Sequence, residues 1–488
     1  MVKFPDTPTF AGYNEPMRFE ADLVDLEVEG EVPADMNGAF FHVRPDPHYP
    51  PKFGDDIYFG GDGAVSAFYF DHGRVHFKHR YVRTDKYVAE EKAGEALFGA
   101  YRNPLGDDES VKGKYRGTAN TNVLVHGGKL WALKEDSPPV LMDPWTLETE
   151  GYTDLDGKLT AQTFTAHPKI DPKTGQMIAF SYAAKGLCTA SIAYIEIAPD
   201  GTLEREVYLE PPYYSMIHDF AVTEDYVVFP VLPVIGSWQR LEAGLPHFGY
   251  DPNKEMYLGV MPRGGDAKDV RWFSAPACFN AHVLNAFNEG QNVHIDLPVG
   301  QSNGMPFFPD VTGAPFNPET AAPMMIRWTV DMGSNSDGFE QSAPIAPIPG
   351  ELPRIDDRYA MHPYRHGWYH TADPTKPVDL PSTPADIGLF FVNTLVHQDF
   401  MTGAPQTYWG GPDIVFQEMQ FVPKSKDAPE GEGWLLALAN HGNSRRTDLL
   451  IFDPLRLAEG PQTTISLPFM LRSGVHGNWA PAENMPTT

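Results

Sequence analysis

The sequence predicts an all-β protein assembled from repeated turn-and-strand units, on three observations. The 47 prolines and 44 glycines are spread along all 488 residues rather than gathered in a linker, the punctuation of many short strands joined by many turns. Helical periodicity is scarce. Polar turns with Gly or Asp, each followed by an apolar run rich in β-branched or aromatic residues, recur at positions near Gly73, Gly128, Gly175 and Asp225, spaced 55, 47 and 50 residues apart. A repeat of about that period suits a propeller of four-stranded blades, while an array of β-sandwiches has a similar texture.

Taken in order, the first helical candidate is "VAEEKAGEALFG" (residues 88–99), which sets charged residues opposite Ala and Leu. The turn-and-strand units are "FDHGRVHFKHRYV" (70–82), "LVHGGKLWALKE" (124–135), "IDPKTGQMIAFSY" (170–182) and "VTEDYVVFPVLPV" (222–234). Later, "GPDIVFQEMQFVPKS" and "GWLLALANHGNSRRTDLLIFDP" read as further blade strands. The Pro-rich stretches "APIPGELPRIDDRY" (346–359) and "PTKPVDLPSTPAD" (374–386) read as long loops. No composition shift marks a boundary, so one domain is expected over residues 1–488.

Composition narrows the function classes. With 37 basic and 65 acidic residues the formal net charge is −28, which opposes binding to phosphate backbones and anionic lipid surfaces, so no nucleic-acid partner is expected. Cys188 and Cys278 are the only cysteines, too few for a disulfide framework or a cysteine-rich metal knot. The strongest apolar run, "YVVFPVLPVIG", is short and broken by two prolines, and "MVKFPDTPTFAGYNEP" lacks a signal-peptide core. A cytoplasmic protein without a membrane span is expected, and a homodimer is left open.

Of 17 histidines, most lie in or beside polar turns, where a solvated imidazole needs no further explanation. Four differ in context: His167 in "FTAHPKIDP", His218 in "SMIHDFAVT", His282 in "FNAHVLNAF" and His476 in "SGVHGNWAP". Small or apolar residues precede each, and a turn and strand follow the first three. Separated by 51, 64 and 194 residues, they cannot meet on one local element, but the inner strands of propeller blades could bring them to one centre. Four neutral imidazoles without a carboxylate leave a metal its full charge and suit a redox ion that handles dioxygen. Zinc sites favour thiolates at short spacing or three protein ligands, neither of which is present. Four unrelated core histidines, each bonding a backbone carbonyl, fit the spacing equally well.

At this point the chain resembles the carotenoid cleavage oxygenases. The resemblance runs through "FHVRPDPHYPP", "YFGGDGAVSAFYFDHGRV", "TAHPKIDPKTGQM", "IHDFAVTEDYVVFP", "GELPRIDDRY" and "GVHGNWAP". It implies a seven-bladed β-propeller, with loops and a few short helices capping one face over an axial Fe(II) site, and O2 as co-substrate. It assigns His167, His218, His282 and His476 as iron ligands, and Glu135, Glu351 and Glu418 as the carboxylates that orient their rings, since a ligating imidazole normally donates its other N–H.

Two features resemble the lignostilbene branch of that family: Tyr101 in "AYRNPLGDD" and Lys134 in "LWALKED", which in that branch hold the substrate's 4-hydroxyl. A phenol with a pKa near 10 must lose or share its proton to push electrons through the ring. A lysine ammonium stabilises phenolate, and Tyr can donate or relay a hydrogen bond. In a regular strand, adjacent Lys134 and Glu135 point to opposite faces, so both serve one centre only if the strand ends there, as "DSPP" permits. Phe59 and Phe307 are the candidate aromatic walls for a flat substrate.

The resulting expectation is a non-haem Fe(II) dioxygenase that splits the central double bond of small phenolic stilbenes, of lignostilbene or resveratrol type, into two aromatic aldehydes. The runner-up keeps fold and iron but cleaves carotenoids or apocarotenoids. A hydrolytic or sugar-binding propeller would instead show axial Asp, Asn and Glu ligands.

Overall fold

The computed structural model describes residues 3–379 and 392–487. The second half of the Pro-rich 374–386 stretch lies outside the described residues. By contact density the chain divides into two compact units, one of residues 1–156, 372–396 and 406–488, the other of residues 157–371 and 397–405.

The first unit is built on three antiparallel sheets. The central one orders Ala21–Leu23, Arg74–Tyr81, Gly63–Asp71, Gly38–Pro45 and Gly477–Pro481. Its last strand comes from the far end of the sequence and pairs Gly38 with Pro481 and His42 with Gly477. A second interlock places Glu27–Gly30 against Thr463–Leu467 in a six-stranded sheet. Neither interlock is visible as local pattern. The third sheet runs Asn122–His126, Lys129–Leu133, Val140–Met142 and Thr149–Tyr152.

Period-two alternation explains how these sheets pack. On Gly38–Pro45, Ala39, Phe41 and Val43 enter one core with Val123, Leu130, Ala132 and Met142. Phe40 enters another with Phe68, Phe77, Leu436, Leu449 and Ile465. The strand is covered on both faces, so all eight of its residues are buried, His42 and Arg44 on the Phe40 face included. Each Phe so buried contributes on the order of 1.5–3 kcal/mol.

The second unit holds three four-stranded meanders, opening at Lys169–Ile170, Ala221–Val222 and Asn285–Glu289. The hairpin of Glu351–Ile355 with His366–Thr371 belongs to it as well, and is part of a further four-stranded sheet. Among the described residues seven sheets have four or more strands, the make-up of a seven-bladed β-propeller fold. The repeat lengthens in later blades because segments are inserted. The ribbon Val234–Gly236 with Phe248–Tyr250 separates two paired strands of one blade, and residues 300–323 separate two strands of the next.

Two expectations need adjustment. The helix expected over 88–99 spans Asp85–Ala93: the Thr84 side chain caps its start, and Gly94, at φ 77°, ends it in the left-handed conformation that glycine adopts freely. The expected loop 346–359 contains the strand Glu351–Ile355, which continues across its proline. The hairpin turns occur as expected, His72 and Gly73 both at positive φ between Gly63–Asp71 and Arg74–Tyr81. Among the described residues, no helix is long and apolar enough to cross a membrane.

Candidate metal centre and phenol pocket

His167, His218 and His282 each sit in the irregular segment just before a blade's first strand, rather than in the ladder itself. Backbone leaving the ladder is free to turn the ring, whereas a paired strand would fix the side chain to one sheet face. His218 therefore precedes its strand Ala221–Val222 instead of beginning it.

These three come together. The Nε2 atoms of His167 and His218 are 3.1 Å apart, as are those of His218 and His282, and the ligand atoms of all three lie within 4.8 Å of one another. One carboxylate ties their segments. Buried Asp219 receives the Phe220 N–H at 2.8 Å and the Lys169 ammonium at 2.7 Å on Oδ1, and the Val283 N–H at 2.8 Å on Oδ2. Its three partners follow His167, His218 and His282 by one or two residues.

Proton placement shows whether these rings suit a cation. A carboxylate only accepts, so the His282 Nδ1–H donates to Glu351 Oε2 at 2.8 Å and its Nε2 presents a lone pair. His218 Nε2 lies 3.1 Å from both other Nε2 atoms, yet one ring nitrogen offers either a single lone pair or a single N–H. A cation accepts a lone pair from each of the three, so the donor set fits a metal.

His476 and Glu418 belong to the first unit and repeat the pattern. The His476 Nδ1–H donates to Glu418 Oε1 at 2.9 Å, and Oε2 receives the Gly477 N–H at 3.1 Å. Both residues are buried, and the ring stands just before the strand Gly477–Pro481.

A cavity within the first unit is lined by Tyr58, Phe59, Tyr101, Lys134, Asp136 and Arg472, among others. The strand Lys129–Leu133 ends one residue before Lys134, so strand alternation does not force Lys134 and Glu135 to opposite faces. The Lys134 Nζ lies 5.6 Å from the Phe59 ring centre and 5.4 Å from that of Tyr101, and donates to Asn120 Oδ1 at 2.8 Å and to the Phe59 carbonyl at 3.2 Å. Burial pushes the Lys134 ammonium down to about 8; nearby Asp136 opposes that shift and Arg102 adds to it. Burial likewise pushes the Tyr101 phenol well above its ordinary value, keeping it protonated as a donor. Glu135 Oε2 accepts from Arg102 at 3.0 Å. Phe307 lies in the second unit, its ring 4.7 Å from that of Phe308.

Sequence reasoning passed over Arg102, Asn120 and Asp219. Asp219 had a signal in its place beside a singled-out histidine. Asn120 stands in the polar run "GTANTN" ahead of a strand, which reads as an ordinary loop until its burial is known.

Propeller blades carrying clustered, carboxylate-supported imidazoles define a metal-dependent β-propeller protein. The chain belongs to the family described as retinal pigment epithelial membrane protein, whose pattern matches residues 14–481. It is 50% identical to lignostilbene-alpha,beta-dioxygenase isozyme III of Sphingomonas paucimobilis, over 100% of this chain and 99% of that one. It is 40% identical to resveratrol cleavage oxygenase 1 of Chaetomium globosum, over 98% and 88% of the two chains. The crystal structure of Pseudomonas brassicacearum lignostilbene dioxygenase superposes with a TM-score of 0.95 at 44% identity, covering 99% of this chain and 100% of that one.

Proposed function

We propose that the protein is an Fe(II)-dependent dioxygenase that cleaves the central double bond of 4-hydroxystilbenes with O2. The carbon–carbon double bond breaks and each of its carbons gains one oxygen atom, so one stilbene and one O2 give two aromatic aldehydes. The observation that carries the substrate class is Lys134, a buried ammonium set between two aromatic rings in a cavity. Such a group favours a flat ring ending in an acidic hydroxyl.

His167, His218, His282 and His476 would hold the iron, with Glu351 and Glu418 fixing the Nδ1–H tautomers and Glu135 in the same supporting role. Four neutral donors suit ferrous iron, which when bound supplies the binding and activation of dioxygen. Lys134 stabilises the phenolate oxygen, so that electron density flows through the ring to the alkene. Tyr101 donates a second hydrogen bond to the same oxygen. Phe59 and Phe307 serve as aromatic walls that keep the substrate flat. The enzyme acts as a soluble cytoplasmic protein, in keeping with its free cysteines.

A substrate pair tests the phenolate role. Iron-loaded protein should convert trans-4-hydroxystilbene to two aldehydes and leave its 4-methoxy analogue nearly untouched. Equal turnover of the two, or turnover of an apocarotenoid with none of the stilbene, contradicts the proposal.

A further inference from the structure

We propose that Asn120 is a positioning residue for phenol recognition, holding Lys134 and the Phe59 segment in one fixed relation so that Lys134 keeps a single N–H for the substrate oxygen. The role rests on Lys134 being the group that meets the 4-hydroxyl.

Asn120 is fully buried, and each of its amide atoms is engaged. Its Nδ2 donates to the Phe59 carbonyl at 2.9 Å and to the Gly61 carbonyl at 2.6 Å. Its Oδ1 accepts from Lys134 Nζ at 2.8 Å and from Thr121 Oγ1 at 3.0 Å. Lysine cannot accept and a carbonyl cannot donate, so the orientation of the amide is set by its partners. With Oδ1 of Asn120 and the Phe59 carbonyl taking two ammonium protons, one of three remains. An ammonium on a flexible four-carbon stem otherwise samples many directions; two fixed acceptors convert it into a directed donor.

The backbone is arranged to allow this contact. Gly63 N–H donates to the Thr118 carbonyl at 2.8 Å, and a Cβ on Gly63 would lie 2.4 Å from the carbonyl oxygens of both Thr118 and Ala119. Ala119 itself takes a positive φ of 47°, a conformation a non-glycine residue seldom adopts without a reason. Gly63, the last glycine of "YFGGDG", thus lets the Asn120 segment approach closely enough for one amide to span Lys134 and the Phe59 loop.

The charges acting on Lys134 are Asp136, Glu135 and Asp56, which favour its ammonium, and Arg102, which disfavours it; the neutral Tyr101 ring faces it as well. Asn120 adds an uncharged acceptor to this set. Replacing it by a carboxylate would keep an acceptor for Lys134 and strengthen the hold on its proton, while giving up the two Nδ2 donations to the Phe59 and Gly61 carbonyls.

The test is a double-mutant cycle on iron-loaded, full-length protein with trans-4-hydroxystilbene, using Asn120→Ala, Lys134→Ala and the double variant, joined by a pH profile of Asn120→Asp. Asn120→Ala should lower kcat/KM about 10- to 100-fold, the scale of a hydrogen bond to a charged group. In the Lys134→Ala background the same change should cost less than about threefold. Asn120→Asp should move the alkaline limb of kcat/KM to higher pH than in the parent. Multiplicative losses in the cycle, or an unmoved limb in Asn120→Asp, overturn the role of Asn120 while leaving Lys134 in place. Full activity of Lys134→Ala removes the phenol role of Lys134 and the inference with it. Should Asn120→Ala fail to fold, the limb of Asn120→Asp decides.

Discussion

Asp219 shows how one side chain can organise a site it need not touch. Its carboxylate bonds to Lys169, Phe220 and Val283, so Asp219→Ala should loosen the three histidine segments together and weaken iron binding about 10- to 100-fold. Metal titration checks this, and unchanged iron affinity contradicts it. Lys134 makes a pH prediction. Its ammonium, pushed down to about 8 by burial, is present below that pH and lost as pH rises through it, so kcat/KM should fall above about pH 8, before a phenol of pKa near 10 ionises. The limb should vanish in Lys134→Ala; a parent enzyme whose kcat/KM stays flat to pH 10 contradicts the requirement for an ammonium. At this scale the sequence was informative where chemistry is local to a motif. His218 stands out among small and apolar neighbours, and its resemblance to a known ligand makes it a candidate. Asn120 and Arg102 act through tertiary contacts to Phe59, Gly61 and Glu135, and no local pattern distinguishes them from loop residues.

Elements were legible in proportion to how much of their stability is local. Hairpins with Gly at the turn, such as that around His72 and Gly73, declare themselves through backbone conformation. The helix Asp85–Ala93 is displaced from the expected segment because its cap, Thr84, and its stop, Gly94, outweigh a weak apolar pattern. The strand Glu351–Ile355 hides in a Pro-rich stretch because the sheet it joins, rather than its own composition, makes it a strand. Gly38–Pro45 is the element whose packing can be tested most simply. Phe41 is wholly buried in the core between two sheets of the first unit, and truncation to Ala should cost about 3–5 kcal/mol. Urea unfolding checks this. A loss under about 1 kcal/mol contradicts the two-faced packing described for that strand.

For the whole molecule, all-β architecture and a repeat near 50 residues were readable from turn punctuation, whereas the count of seven blades came only with family resemblance. The reason is physical: inserted segments such as 300–323 break the period, and the strands that join the two ends of the sequence, Gly38–Pro45 with Gly477–Pro481, leave no periodic trace. Convergence of distant histidines is likewise a property of the fold, since residues 51 and 64 positions apart share no local element. What the fold is proposed to achieve is a single iron-dependent reaction. The most direct measurement is iron titration of metal-free protein with trans-4-hydroxystilbene in air, following O2 uptake and aldehydes together. Activity should rise with iron to a plateau at about one ion per chain, with one O2 consumed for each pair of aldehydes, and His218→Ala should abolish both iron retention and turnover. Aldehyde formation without iron, or undiminished iron binding in His218→Ala, would contradict the account.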